Sequence, residues 1–66
     1  MSYDDYRMRM EKLQNLIKME CTGNVDELSD KLGISRRTLF NDMSTLRDNG
    51  YLIKFSKYRK TYYFDN

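Results

Sequence analysis

The sequence has no histidine, no proline and no tryptophan, and only one cysteine and three glycines among 66 residues. Each absence removes a class of function. Without histidine the usual general base is missing, and so are the Ser/His and Cys/His nucleophile pairs, so catalysis would have to rest on carboxylates, Lys or Tyr. The common zinc ligand sets cannot be assembled within one chain, and a lone cysteine cannot close an intramolecular disulfide. The cytoplasm, a reducing compartment, is the expected setting. No apolar run approaches the ~18–20 residues of a membrane-spanning helix, and acidic Asp4 and Asp5 stand where a secretory signal would carry a basic region. The length predicts one domain over residues 1–66, with no catalytic, cofactor-binding or metal-binding residues nominated in it.

What is present is charge, unevenly placed. Twelve Lys and Arg against ten Asp and Glu leave a formal net charge of +2. Residues 1–34 hold five of the cations and seven of the acids, whereas residues 35–66 hold seven cations and three acids. The C-terminal half is therefore the candidate for a polyanionic partner.

With proline absent, glycine and polar caps punctuate the chain. Tyr6, Met10, Leu13, Ile17 and Cys21 recur at helical spacing, with Leu16 at the edge of the stripe, and predict an amphipathic helix over about 4–21. Cys21 is expected on that stripe as a small buried hydrophobe, while Met8 and Met19 fall on the opposite side. Asn24 followed by Glu27 has the form of a capping box and opens a helix over about 25–32, where Val25, Leu28 and Leu32 form a stripe and Gly33 ends it. Asp26, Glu27 and Asp30 favour the dipole of this helix and need no metal. Only Ile34 separates Gly33 from the next cap, Ser35, after which Leu39, Met43 and Leu46 mark a third helix over about 36–49. So short a turn forces the two helices to cross steeply with Ile34 plugging the corner, which is helix-turn-helix geometry. After Gly50 the period falls to two. Ile53 and Phe55, then Tyr62 and Phe64, flank the segment Ser56 to Lys60 and predict a β-hairpin within about 51–64. The expected fold class is mostly α with a small β-hairpin, a three-helix helix-turn-helix plus wing, in the order α-α-α-β-β.

The run from Val25 through Leu32-Gly33-Ile34-Ser35-Arg36-Arg37-Thr38-Leu39, continued by Asp42 and by Leu46 to Gly50, resembles the winged helix-turn-helix of DeoR-type and biotin-repressor-type bacterial regulators. Tyr62 and Phe64 match the tyrosine and apolar residue of the returning wing strand in those proteins. The resemblance implies a DNA-binding transcription regulator with its third helix in the major groove and a basic wing on the backbone or in the minor groove. Phe40 and Asn41 depart from it, since DeoR-type proteins commonly carry arginine there. The effector-binding domain that usually follows the wing is not among these 66 residues. Two rival readings stand beside this one: a winged helix that docks a protein partner or self-associates, and the detached N-terminal reader of a longer sensor.

On the third helix Arg36, Arg37, Phe40, Asn41 and Ser44 fill one arc, opposite Leu39, Met43 and Leu46. Arginine can pair with guanine O6 and N7, asparagine with adenine N6 and N7, and an apolar ring can touch a thymine methyl group. Phe40 lies between the two faces, so packing at the core edge is equally open to it. Ser35 and Thr38 are expected to cap the helix and to offer a phosphate contact at its N-terminus. In the hairpin loop Lys57, Arg59 and Lys60 surround Tyr58. They are either a wing for the DNA backbone or minor groove, or a solvated turn that guards the hairpin edge. The expected partners are double-stranded DNA and a second copy of the chain, because one short recognition helix reads few base pairs. A weak homodimer through the Met8 and Met19 face or the wing edge is expected, with no membrane and no small-molecule effector.

Overall fold

The computed structural model describes residues 3–66, with side chains described from Asp5 onward; residues 1 and 2 of the expected domain lie outside it. Three helices, α1 (Tyr3–Lys18), α2 (Val25–Leu32) and α3 (Arg36–Asp48), precede two antiparallel strands, β1 (Ile53–Ser56) and β2 (Thr61–Phe64). This is the expected order, a three-helix unit with a wing.

Local chemistry explains the boundaries. Asn24 accepts the Glu27 backbone N–H at 2.9 Å while the Glu27 carboxylate accepts the Asn24 N–H, so the capping box at the start of α2 closes in both directions. Gly33 ends α2 in the left-handed region (φ 66°), and the Ile34 N–H reaches back to Ser29 O at 3.0 Å, a Schellman closure that turns the chain toward α3 within three residues. Ile34 packs half-buried against the core at that corner.

α1 departs from the expected span. It stops at Lys18 rather than Cys21, because Glu20 takes a left-handed conformation (φ 55°) and reverses the chain three residues before Gly23. The helical phase is lost there, so Cys21 is exposed and Thr22 occupies the buried position instead. Tyr6, expected in the core, also lies at the surface with its ring centroid 5.3 Å from the Arg9 guanidinium carbon.

The core is Met10, Leu13, Ile17, Leu28, Leu39, Met43, Leu46 and Ile53, drawn from all three helices and β1. Burying each such side chain contributes ~1.5–3 kcal/mol. At its margin sits a charged pair. Arg9 of α1 donates Nε to Asp42 Oδ2 at 2.8 Å and Nη2 to Asp42 Oδ1 at 3.1 Å, with side-chain exposures of only 11% and 6%. This fork of parallel bonds fixes α3 against α1 in both position and rotation.

The wing is anchored separately. β1 and β2 pair in the register Ile53 with Phe64 and Phe55 with Tyr62, the latter rings meeting edge to face at 4.9 Å. Thr61, one residue out of phase with Tyr62 and Phe64, is 2% exposed. The Thr22 N–H donates to its hydroxyl at 3.1 Å, the two hydroxyls lie 3.0 Å apart, and the Tyr62 N–H donates to Thr22 Oγ1 at 2.8 Å. Thr22 thus serves the free edge of β2 where a third strand would otherwise pair. Asn66 closes the other end, accepting from Leu52 N–H and donating to Gly50 O.

Two predictions follow from these contacts. Asp42→Ala removes the buried carboxylate that Arg9 grips with two bonds and costs up to ~3–5 kcal/mol, against a total stability of about 3–10 kcal/mol for a chain of this length. Urea unfolding should show a much lower midpoint for the variant, and Arg9→Met combined with Asp42→Leu should recover most of the loss; a single variant within ~1 kcal/mol of the parent would remove the pair from its organising role. The second concerns alkaline pH. Burial pushes the Tyr62 phenol above its ordinary value, with the Arg47 charge pulling the other way, and a hydrogen bond and attraction from Asp65 raise the Lys54 ammonium. In both cases the folded chain keeps a proton that the unfolded chain releases, so stability is complete below their unfolded values near ~10 and falls as pH rises through the folded ones. The urea midpoint should drop between pH 9 and pH 11, and drop less in Tyr62→Phe; equal drops would place the alkaline sensitivity elsewhere.

Candidate nucleic-acid interface

Because Asp42, Leu39, Met43 and Leu46 turn inward, the opposite side of α3 is left to solvent. Arg36, Arg37, Phe40, Asn41 and Ser44 are all exposed along it. Phe40 is 48% exposed, which places it on the polar side of the helix rather than within the core edge. Ser35 stands at the N-cap: its hydroxyl accepts the Thr38 N–H at 3.2 Å and donates to the Thr38 hydroxyl at 3.1 Å. One free amide is thereby satisfied, while the remaining N–H groups of the first turn still point out of the helix end.

The cations fall into two groups, a division that spacing does not reveal. Arg36 forms an ion pair with Asp26 of α2, Nε to Oδ1 at 2.6 Å, and Arg59 is paired with Glu20 in the turn after α1. Both arginine side chains remain 65% exposed, so these are weak surface contacts that hold a guanidinium in place without hiding it. Arg37, Lys57 and Lys60 have no acidic partner among the described residues. They are the charges with nothing to give up when an anion arrives.

The wing tip is a defined turn. The Ser56 hydroxyl accepts the Arg59 N–H at 3.1 Å and Ser56 O accepts the Lys60 N–H at 2.7 Å, with Lys60 in the left-handed region (φ 57°). Tyr58 at its apex is 97% exposed. Nothing in the fold uses that ring, and it is flanked on both sides by cations.

The residues nominated from sequence on α3 and at the wing tip lie at the surface of the fold, but the sequence reading missed what fixes the orientation of α3. Arg9 lies between Leu13 and Leu16 on the wheel of α1, and Asp42 beside Leu46 and Leu39 on that of α3. A charged residue of each sign at the edge of two facing apolar stripes was the available signal. Glu20 and Arg59 are separated by 39 positions and carry no local signal of their meeting.

A family model described as an HTH domain matches residues 9–64, which takes in α1 from Arg9 onward, both helices of the helix-turn-helix and the whole hairpin. No curated protein and no solved structure matches the chain. Among the described residues no helix is long and apolar enough to cross a membrane.

Proposed function

The chain belongs to the HTH domain family, and on that footing we propose that it is a cytoplasmic transcription regulator of bacterial type that reads duplex DNA with α3 in the major groove and the wing on the backbone or in the minor groove. The observation that carries this reading is the exposed arc of α3, in which Arg36, Arg37, Phe40, Asn41 and Ser44 face away from the core. Within the family, the Leu32 to Thr38 stretch supports kinship with DeoR-type and biotin-repressor-type regulators, while Phe40 and Asn41 give this helix a base preference of its own.

The roles divide by chemistry. Arg37, unpaired and in the first turn of α3, is the base-edge reader, suited to guanine, and Asn41 one turn further on is suited to adenine. Phe40 contributes apolar contact to a thymine methyl group. Arg36 and Arg59 reach phosphates from positions already set by Asp26 and Glu20, so less side-chain freedom is lost on binding. Ser35 and Thr38 hydrogen-bond the DNA backbone at the helix N-terminus, Ser44 does so further along the same face, and Lys57 and Lys60 supply charge along the wing.

Selection from random duplex DNA should enrich a motif. Affinity for it should fall with salt at a slope of roughly −4 to −5 in log K against log salt, from ~4–6 phosphate contacts. Arg37→Ala should weaken binding by ~1–3 kcal/mol and flatten preference at one position, whereas Lys57→Ala and Lys60→Ala should weaken all sequences alike and each lower the slope by about one. A flat salt response would instead favour the protein-docking reading. The wing can be followed directly, because the chain has no tryptophan and Tyr58→Trp introduces a single one. Its fluorescence should shift on duplex addition, and an unchanged spectrum under saturating DNA would keep the wing tip off the nucleic acid.

A further inference from the structure

Of the two surfaces expected to pair copies of the chain, the α1 face lies apart from the candidate nucleic-acid interface. The side of α1 facing away from the core carries Met8, Lys12, Asn15 and Met19, spaced four, three and four residues apart, the repeat of a helix-pairing seam. Met19 follows the last helical residue, but its N–H still donates to Asn15 O at 2.9 Å, which keeps it on the helical path. Met8 and Met19 are 67% and 73% exposed, and together with half-buried Leu16 and Leu32 they line a shallow groove of about 440 Å³ between α1 and the end of α2. Lys12 leans out of the seam, its ammonium donating to Lys31 O at 3.1 Å.

The charges beside the seam name the occupant. Glu11 and Lys18 sit seven residues apart on the same edge of it, both exposed; Glu11 also meets Arg7 one turn earlier at 3.4 Å, a weak surface pair that leaves its carboxylate open to a second cation. A two-fold axis near the middle of α1 sets Met8 against Met19 of the second copy, and brings each Glu11 opposite the other copy's Lys18. The face is complementary to itself when run antiparallel and to nothing in particular when run parallel, where Glu11 would meet Leu16. We infer that α1 pairs antiparallel with α1 of a second copy of this chain, through Met8, Met19 and reciprocal Glu11 to Lys18 contacts. Two methionines and the rims of two leucines bury less than the ~1,200 Å² of a stable interface, so the dimer is weak in solution and is completed on DNA. That last step rests on the proposed function, because a pair of modules reads two half-sites where one reads too few base pairs; the pairing itself does not.

Sedimentation equilibrium of the 66-residue chain without DNA should give a dissociation constant on the order of 100 µM. Met19→Glu and Met8→Glu, at positions outside the core, should leave the thermal melt unchanged and weaken the dimer about tenfold or more. Glu11→Lys alone and Lys18→Glu alone should each weaken it roughly threefold to tenfold, and the double exchange should restore it. A monomer at millimolar concentration overturns the inference, and so do charge reversals that change nothing or fail to compensate. On a duplex carrying two selected sites, the parent should bind cooperatively and Met19→Glu without cooperativity at unchanged single-site affinity. Absence of any duplex binding would count against the proposed function, with the dimer decided by sedimentation alone.

Discussion

Asp42 sits on the inward side of α3, almost out of water, where an ionised carboxylate is tolerable only with a cation and hydrogen bonds to meet it. Arg9 supplies both through two parallel bonds from a helix 33 residues away in sequence. Leu13, Leu39 and Met43 belong to one core cluster, but apolar packing of this kind tolerates some sliding and rotation of the helices. A planar guanidinium facing a planar carboxylate does not. The rotation of α3 about its own axis decides which residues reach solvent, so a contact on the buried side sets the composition of the exposed one. Arg36, Arg37, Phe40, Asn41 and Ser44 form one surface because Asp42 has somewhere to go.

The wing obeys a second constraint, hydrogen bonding rather than charge. A two-stranded hairpin is marginal by itself and leaves an unpaired edge. Here that edge is taken up by one residue. Thr22 donates its N–H and accepts the Tyr62 N–H, and Thr61 completes the exchange. Glu20, two residues earlier, pairs with Arg59 of the loop, so the same turn after α1 holds both the strand and the tip of the wing. The early end of α1 is what delivers these residues. Had the helix run on to Cys21, Thr22 would have stayed in helical phase and Glu20 would have pointed elsewhere.

Electrostatics then separates cations that look alike in sequence. Those with acidic neighbours are positioned, while Arg37, Lys57 and Lys60 are left free, and the acids responsible come from the half of the chain with the opposite charge balance. The N-terminal half therefore shapes the candidate interface by holding the Arg36 and Arg59 side chains in place.

Sequence by itself determined the elements and their order, because those rest on signals spanning a few residues. The Asn24 and Glu27 box, the glycine stop at Gly33, the Ser35 cap and the change of period after Gly50 each act through local backbone chemistry and were legible with boundaries correct to a few residues. It also determined the apolar side of α3, and so by subtraction the exposed one. What only the tertiary structure decided are the contacts whose partners lie far apart along the chain. Arg9 with Asp42, Thr22 with Thr61 and Glu20 with Arg59 are 33, 39 and 39 residues apart. A lone charge at the edge of a stripe, or a threonine after a turn, has no period to betray its partner. Its energy depends on distance and burial, and those exist only once the helices have packed.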